Sequence, residues 1–203
     1  MSPKLVKGTL VEAILGAVII TLLLLPVQAA FPQMAPYTPF AILPIPLFFA
    51  LRMPLGGLVA LFLSFLAGTV WGFLFNLVAG PMIGANPAST PMVLGVGVTL
   101  VIFLILAVHP LLLGRTPFAV VPAVLVGFLQ MLMVLLIFNN PGIVQAGAPV
   151  LSWPWVVGIF AYGCVMTAVM VVISGAAADK VAGPGWNPHR QAPQAPQRET
   201  AQG

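Results

Sequence analysis

Charge is nearly missing from this chain. Of its 203 residues, seven are Lys or Arg and three are Asp or Glu. A soluble domain carries about a quarter charged residues; here the share is 5%. That excludes an ordinary water-soluble globule, and equally a disordered chain, which stays unfolded by being polar and charged. It also excludes a nucleic-acid binder, which needs a basic face against phosphates. The net charge of +4 rests on so few side chains that their positions matter more than their sum. A single cysteine rules out a disulfide framework or a Cys-built metal site. The acids and the two histidines are widely separated and make no metal or acid–base set. No glycine loop runs into the lysine of a phosphate cradle. Ser64, Ser89, Ser152 and Ser174 lack an evident base, and Cys164 among Tyr162, Met166 and Thr167 reads as a small packing residue. The sequence therefore predicts no enzyme, no cofactor and no metal.

What is abundant is apolar. The hydrophobic share is 61% and the mean hydropathy is +1.13. Crossing a bilayer takes roughly 20 apolar residues, because the hydrocarbon layer is about 30 Å thick and a helix rises about 1.5 Å per residue. Stretches at about 9–30, 55–79, 92–113, 118–138 and 155–178 reach that length. A sixth, at about 39–51, is shorter and carries Pro44 and Pro46, which remove helix donors.

The cations decide whether the short stretch crosses. Lys4 and Lys7 precede the first span, Arg52 follows the short one, Arg115 follows the next pair, and Lys180, Arg190 and Arg198 follow the last. Six crossings put every cation on one side and leave the opposite loops, about 31–38, 80–91 and 139–153, without a charge. Five crossings would split them. The positive-inside bias selects six, with both termini cytoplasmic. Lys4, Lys7, the apolar run and Val27-Gln28-Ala29 also have the outline of a signal peptide. Glu12 interrupts that outline, and the run is long enough to span. Residues 1–8 then form a cytoplasmic N-terminus, 9–178 a transmembrane domain, and 179–203 a disordered cytoplasmic tail rich in Pro and Gln.

A shift of 63 residues aligns two segments without a gap: Arg52-Met-Pro54 on Arg115-Thr-Pro117, Phe65-Leu66 on Phe128-Leu129, Phe75-Asn76 on Phe138-Asn139, Gly84-Ala85 on Gly147-Ala148, and Pro91 and Gly95 on Pro154 and Gly158. The units, 52–114 and 115–177, each hold two spans and so share one orientation, as in parallel membrane repeats. Converging turn chemistry at loop ends is the other reading of these matches. Arg52 and Arg115 open the two units and read as cytoplasmic anchors.

The third span carries Gly56, Ala60, Ser64, Gly68, Gly72 and Asn76, four residues apart throughout. That spacing makes one narrow stripe, and small residues let helices approach closely in lipid. The stripe meets another helix of the same chain, or else a second copy, or it faces a pore. The fifth span keeps only Ala119, Ala123 and Gly127 of it.

Ionisable groups inside a membrane would be functional candidates. Glu12 reads as a first-turn residue offsetting the helix dipole, and His109, followed by Pro110, as a hydrogen-bonded residue near the cytoplasmic end of the fourth span. No acid lies mid-membrane to couple a proton or sodium ion. The solute-path candidates are thus uncharged: Pro44 and Pro46, whose freed carbonyls survive in a bilayer only against protein or a cavity, with Ser64, Thr69, Thr99 and Gln130; Gln28 adds a further neutral group. Trp71, Trp153 and Trp155 are expected near the outer boundary, as interfacial aromatics are.

The run Arg52-Met-Pro-Leu-Gly-Gly-Leu-Val-Ala-Leu, followed by Leu66-Ala-Gly-Thr-Val-Trp71, resembles the YcdZ-like small inner-membrane proteins of bacteria, an uncharacterised family. The likeness covers about residues 10–178. More distantly the chain is similar to the membrane halves of fusaric-acid-resistance and aromatic-acid exporters, which implies a role in an exporter as one expectation. Neither likeness carries site residues over. The expected protein is all-α and polytopic, with six transmembrane helices (the second short and Pro-interrupted) built from hairpin repeats in the inner membrane. It is expected to be a homo-oligomer in the lipid bilayer. Its expected function is a channel or permease for a small-molecule solute without ion coupling, or else a non-transporting membrane subunit or assembly factor.

Overall fold

The computed structural model describes residues 3–32, 37–134, 152–183 and 186. It is all-helical, with no strand among the described residues: α1 Pro3–Ala30, α2 Thr38–Ile42, α3 Pro44–Ala50, α4 Gly57–Ala85, α5 Thr90–Leu113, α6 Val121–Met133 and α7 Trp153–Ala182. Four of the described helices, α1, α4, the turn-and-helix Pro87–Leu113, and α7, are long and apolar enough to cross a membrane. By length and composition such helices suit a membrane protein. The paired α2–α3 segment, Thr38–Ala50, and the described part of α6 are shorter apolar helices; at about 1.5 Å per residue Thr38–Ala50 does not cover a layer of about 30 Å alone. Residues 135–151, where the second repeat unit was expected to leave and re-enter, lie outside the described residues, as do Asn139 and Gly147.

Helix ends differ from expectation for local reasons. α1 starts at Pro3, a residue suited to a first turn, so Glu12 lies more than two turns inside and not in the first turn. α4 runs through Asn76 and Pro81 to Ala85. The turn comes later, where Asn86 Oδ1 accepts from Ala88 N at 3.2 Å, Ser89 Oγ donates to the Asn86 carbonyl at 2.6 Å, and Thr90 Oγ1 donates to the Pro87 carbonyl at 2.6 Å. These local side-chain bonds make the turn between α4 and α5. α3 ends in a Schellman-type motif: Arg52 N donates to Phe49 O and Met53 N to Phe48 O, both at 3.1 Å. The residue that such a motif usually gives to glycine is Arg52, at φ 51°.

The chain divides into two compact units, Met1–Leu25 with Ala168–Gly203, and Pro26–Thr167. In the first, Gly16 faces Met170, whose Sδ would lie 3.3 Å from an added Cβ. Ala178, Ala182 and Trp186 form a buried cluster with Leu5 and Val11 against it. Trp186 is 5% exposed, and its Nε1 donates to Asp179 Oδ1 at 2.8 Å. Its ring lies over Gly8 so closely that a Cβ there would overlap it, standing 2.9 Å from Cε2. The segment after α7 was expected to be a featureless tail; the indole makes Trp186 an anchor instead, while residues 187–203 lie outside the described ones. Gly8→Leu should expel the ring. The emission difference between the parent and its Trp186→Phe variant should then shift to the red and become quenchable by acrylamide; an unchanged difference spectrum would show the indole still seated.

Candidate functional site

The unit Pro26–Thr167 is organised on α4. Its small residues meet α6, not open lipid. A Cβ on Gly68 would strike the Val124 carbonyl, with Val124 C at 2.8 Å and Phe128 N at 2.9 Å. Reciprocally, a Cβ on Gly127 would strike the Phe65 carbonyl, with Thr69 N at 3.0 Å. Gly72 faces Met131, whose Cβ would be 2.6 Å away. Such backbone-to-backbone approach is what small residues permit. As the α4 position rises through Ser64, Gly68 and Gly72, its α6 partner rises through Val120, Val124 and Met131. The two helices are therefore parallel. Ala60 is half-buried at the start of this face, and Gly56 lies before the helix with nothing within 4 Å of an added Cβ. The stripe's packing role begins after Gly56.

Two further segments close on this pair. Phe65 of α4 stacks on Phe160 of α7, with centroids 3.6 Å apart and 4° between planes. Trp153 Nε1 donates to Thr69 Oγ1 at 3.0 Å. Gly163 lies under α2–α3: a Cβ there would strike the Ala41 carbonyl and come within 2.8 Å of Pro44 Cγ. Pro44 is thus buried against α7, whereas Pro46 is exposed. Gln28 Nε2 donates to Thr38 Oγ1 at 3.1 Å, tying the end of α1 to the start of α2.

His109 is buried, at 1% exposed. Trp71 Nε1 lies 3.0 Å from its Nε2, and its Nδ1 lies 3.1 Å from the Phe118 carbonyl. An indole N–H only donates and a carbonyl only accepts. Nε2 must therefore be the acceptor, and the ring proton sits on Nδ1, the pattern of a neutral imidazole. His109 holds α4, α5 and the following loop together. The bond joins Trp71, expected near the outer boundary, to a histidine expected near the cytoplasmic end, so the two expectations do not hold together. Among the described residues no group of three or more His, Cys, Asp or Glu could hold a metal ion.

The structure does not gather the six solute-path candidates into one site. Ser64 Oγ donates to Pro117 O at 3.1 Å and accepts from Val120 N at 3.0 Å, so it caps the entry to α6. Thr69 Oγ1 donates to Leu66 O at 2.8 Å besides accepting from Trp153. Thr99 is exposed on α5 and bonds its own helix at Gly95 O, 2.7 Å. Gln130 stands apart. It is 2% exposed, and neither Nε2 nor Oε1 has a hydrogen-bond partner among the described residues. Burying an unsatisfied polar group costs about 1–3 kcal/mol, and such groups are few in native folds.

A separate groove of about 480 Å³ runs between the C-terminal half of α4 and the N-terminal half of α5, lined by residues such as Leu74, Phe75, Val96 and Leu100. Its lining is mostly apolar and carries no charged group. Arg52 and Arg115 are both exposed at turns.

No protein-family model, no curated protein and no solved structure matches the chain.

Proposed function

We propose that this protein passes a small neutral or weakly charged solute across the inner membrane without ion coupling. The observation that carries the reading is the set of uncharged polar side chains buried in the apolar interior of the unit Pro26–Thr167. That stretch contains no Asp or Glu, yet it buries Ser64, Thr69, His109, Gln130 and Thr167. Coupling to a proton or sodium gradient ordinarily needs an intramembrane carboxylate; hydrogen-bonding a neutral solute does not. The topology we infer has six crossings, both termini cytoplasmic, with α2–α3 and the α6 region completing the four long helices. The parallel course of α4 and α6 supports a single crossing, α5, between them, and supports the duplication in which Phe65 and Phe128, both fully buried, are counterparts.

Reconstituted into liposomes, the chain should speed stopped-flow swelling for at least one solute of a panel such as glycerol, urea and acetamide, with no dependence on a sodium or pH gradient. Rates equal to empty liposomes throughout would sink the reading. The second reading is a non-transporting subunit. It is favoured by α5, on which Met92, Val96, Leu100 and Phe103 are all more than half exposed. A stoichiometric membrane partner recovered with the protein, in the absence of swelling, would establish that one. An exporter component is the third, read from resemblance alone.

A further inference from the structure

The other buried hydrogen-bonding side chains of the unit are satisfied: Ser64 by Pro117 and Val120, Thr69 by Leu66 and Trp153, His109 by Trp71 and Phe118, Thr167 by the Gly163 carbonyl at 2.7 Å. Gln130 is the exception, and it is so at both ends of its carboxamide. It lies on one stripe of α6 with Ala123, Gly127 and Val134, three or four residues apart and all buried. Gly127 on that stripe is held against the α4 backbone, which fixes the helix one turn before Gln130. A side chain of similar length without polar atoms, such as Met, would fill the position without leaving donors and acceptors bare. A group kept polar in that setting needs a partner that supplies an acceptor and a donor together.

We propose that Gln130 binds a small neutral solute of the carboxamide class, pairing its N–H with the solute's carbonyl and its Oε1 with the solute's N–H. A primary amide meets a carboxamide by two parallel hydrogen bonds. A ketone offers only an acceptor and leaves Oε1 unsatisfied. A bare ion is refused, because α6 carries no charged residue to offset the desolvation of a charge. The inference deepens the permeation reading and relies on it for the route by which the solute arrives, not for the binding itself.

The full chain in nanodiscs, with ¹⁵N-labelled glutamine side chains, tests it. The resonance lost in Gln130→Met identifies the Gln130 amide; should that variant not fold, Gln130→Glu keeps the shape and loses the same signal. Acetamide should shift the Gln130 pair saturably, and at least twofold more than acetone at equal concentration. Acetamide should also raise the melting temperature of the parent but not of the Gln130 variant. No saturable shift, an equal shift with acetone, or stabilisation that survives the substitution would overturn the site. Swelling separates the two ideas. Acetamide bound without any solute permeating removes the transport reading and leaves the site standing. Permeation that ignores Gln130, with no acetamide shift, removes the site and leaves transport standing.

Discussion

Gly127→Leu should abolish the folded state of this protein, and Gly68→Leu should do nearly the same. Each substitution drives a side chain into backbone of the facing helix: the Phe65 carbonyl and Thr69 amide for Gly127, the Val124 carbonyl and Phe128 amide for Gly68. Overpacking a well-packed site costs typically about 1–3 kcal/mol. Here the upper end or more is expected, because carbonyls in a helix cannot swing aside as a side chain can. Gly72→Ala should be intermediate, since the added Cβ meets the Met131 side chain at 2.6 Å and only then the Phe128 carbonyl at 3.2 Å. Gly84→Leu and Gly95→Leu should be near neutral, having nothing within 4 Å of an added Cβ. Gly56→Leu belongs with them, although it stands in the same four-residue stripe. Thermal unfolding in detergent, ranked across the six variants, measures this order. A Gly68 variant that stays folded but dissociates from a larger particle would instead assign the stripe to contact between copies.

That ranking also shows what sequence can and cannot convey about such a chain. Hydropathy located the long helices within a few residues: 9–30 became Pro3–Ala30, 92–113 became Thr90–Leu113, and 155–178 became Trp153–Ala182. It does so because transfer into lipid is a property of composition over a window. The ends moved because they depend on single residues, Pro3 at one helix and the Asn86–Thr90 turn at another. The stripe at Gly68 and Gly72 was visible from spacing, but its partner was not, since most residues on every face are apolar and the pattern does not say which neighbour a face meets. Gly127 is its counterpart, visible only as a remnant of the same spacing. Of the polar candidates, the sequence could list Ser64, Thr69, Thr99 and Gln130 together. It could not see that the first three spend their bonds within the protein while Gln130 does not. Satisfaction is a property of three-dimensional neighbours, some of them more than fifty residues away, as Ser64 and Val120 are.

The Trp71–His109 contact was wholly hidden, and it supports the second large effect. His109→Ala should destabilise the protein by about 2–4 kcal/mol. The loss has three parts. The imidazole volume leaves a void in a site that is 1% exposed. The Trp71 indole loses its acceptor, and the Phe118 carbonyl loses its donor. Buried as the site is, no water is at hand to replace either. Trp71→Phe should cost less, about 1 kcal/mol, because it removes a donor while the ring remains to fill the space. The double variant, His109→Ala with Trp71→Phe, should lose less than the sum of the two, since once the acceptor is gone the donor has nothing left to lose. Residues joined in one hydrogen-bonded pair show couplings of roughly 0.5–3 kcal/mol by such cycles. Unfolding midpoints of the four proteins in one detergent give that coupling directly. Strict additivity would mean that the indole and the imidazole stabilise the fold independently, and that the clamp between α4, α5 and the Phe118 loop is a geometric neighbour relation without energetic content. A coupling of the expected size makes His109 a structural tie, and leaves Gln130 as the buried polar side chain whose hydrogen bonds the described fold does not itself use.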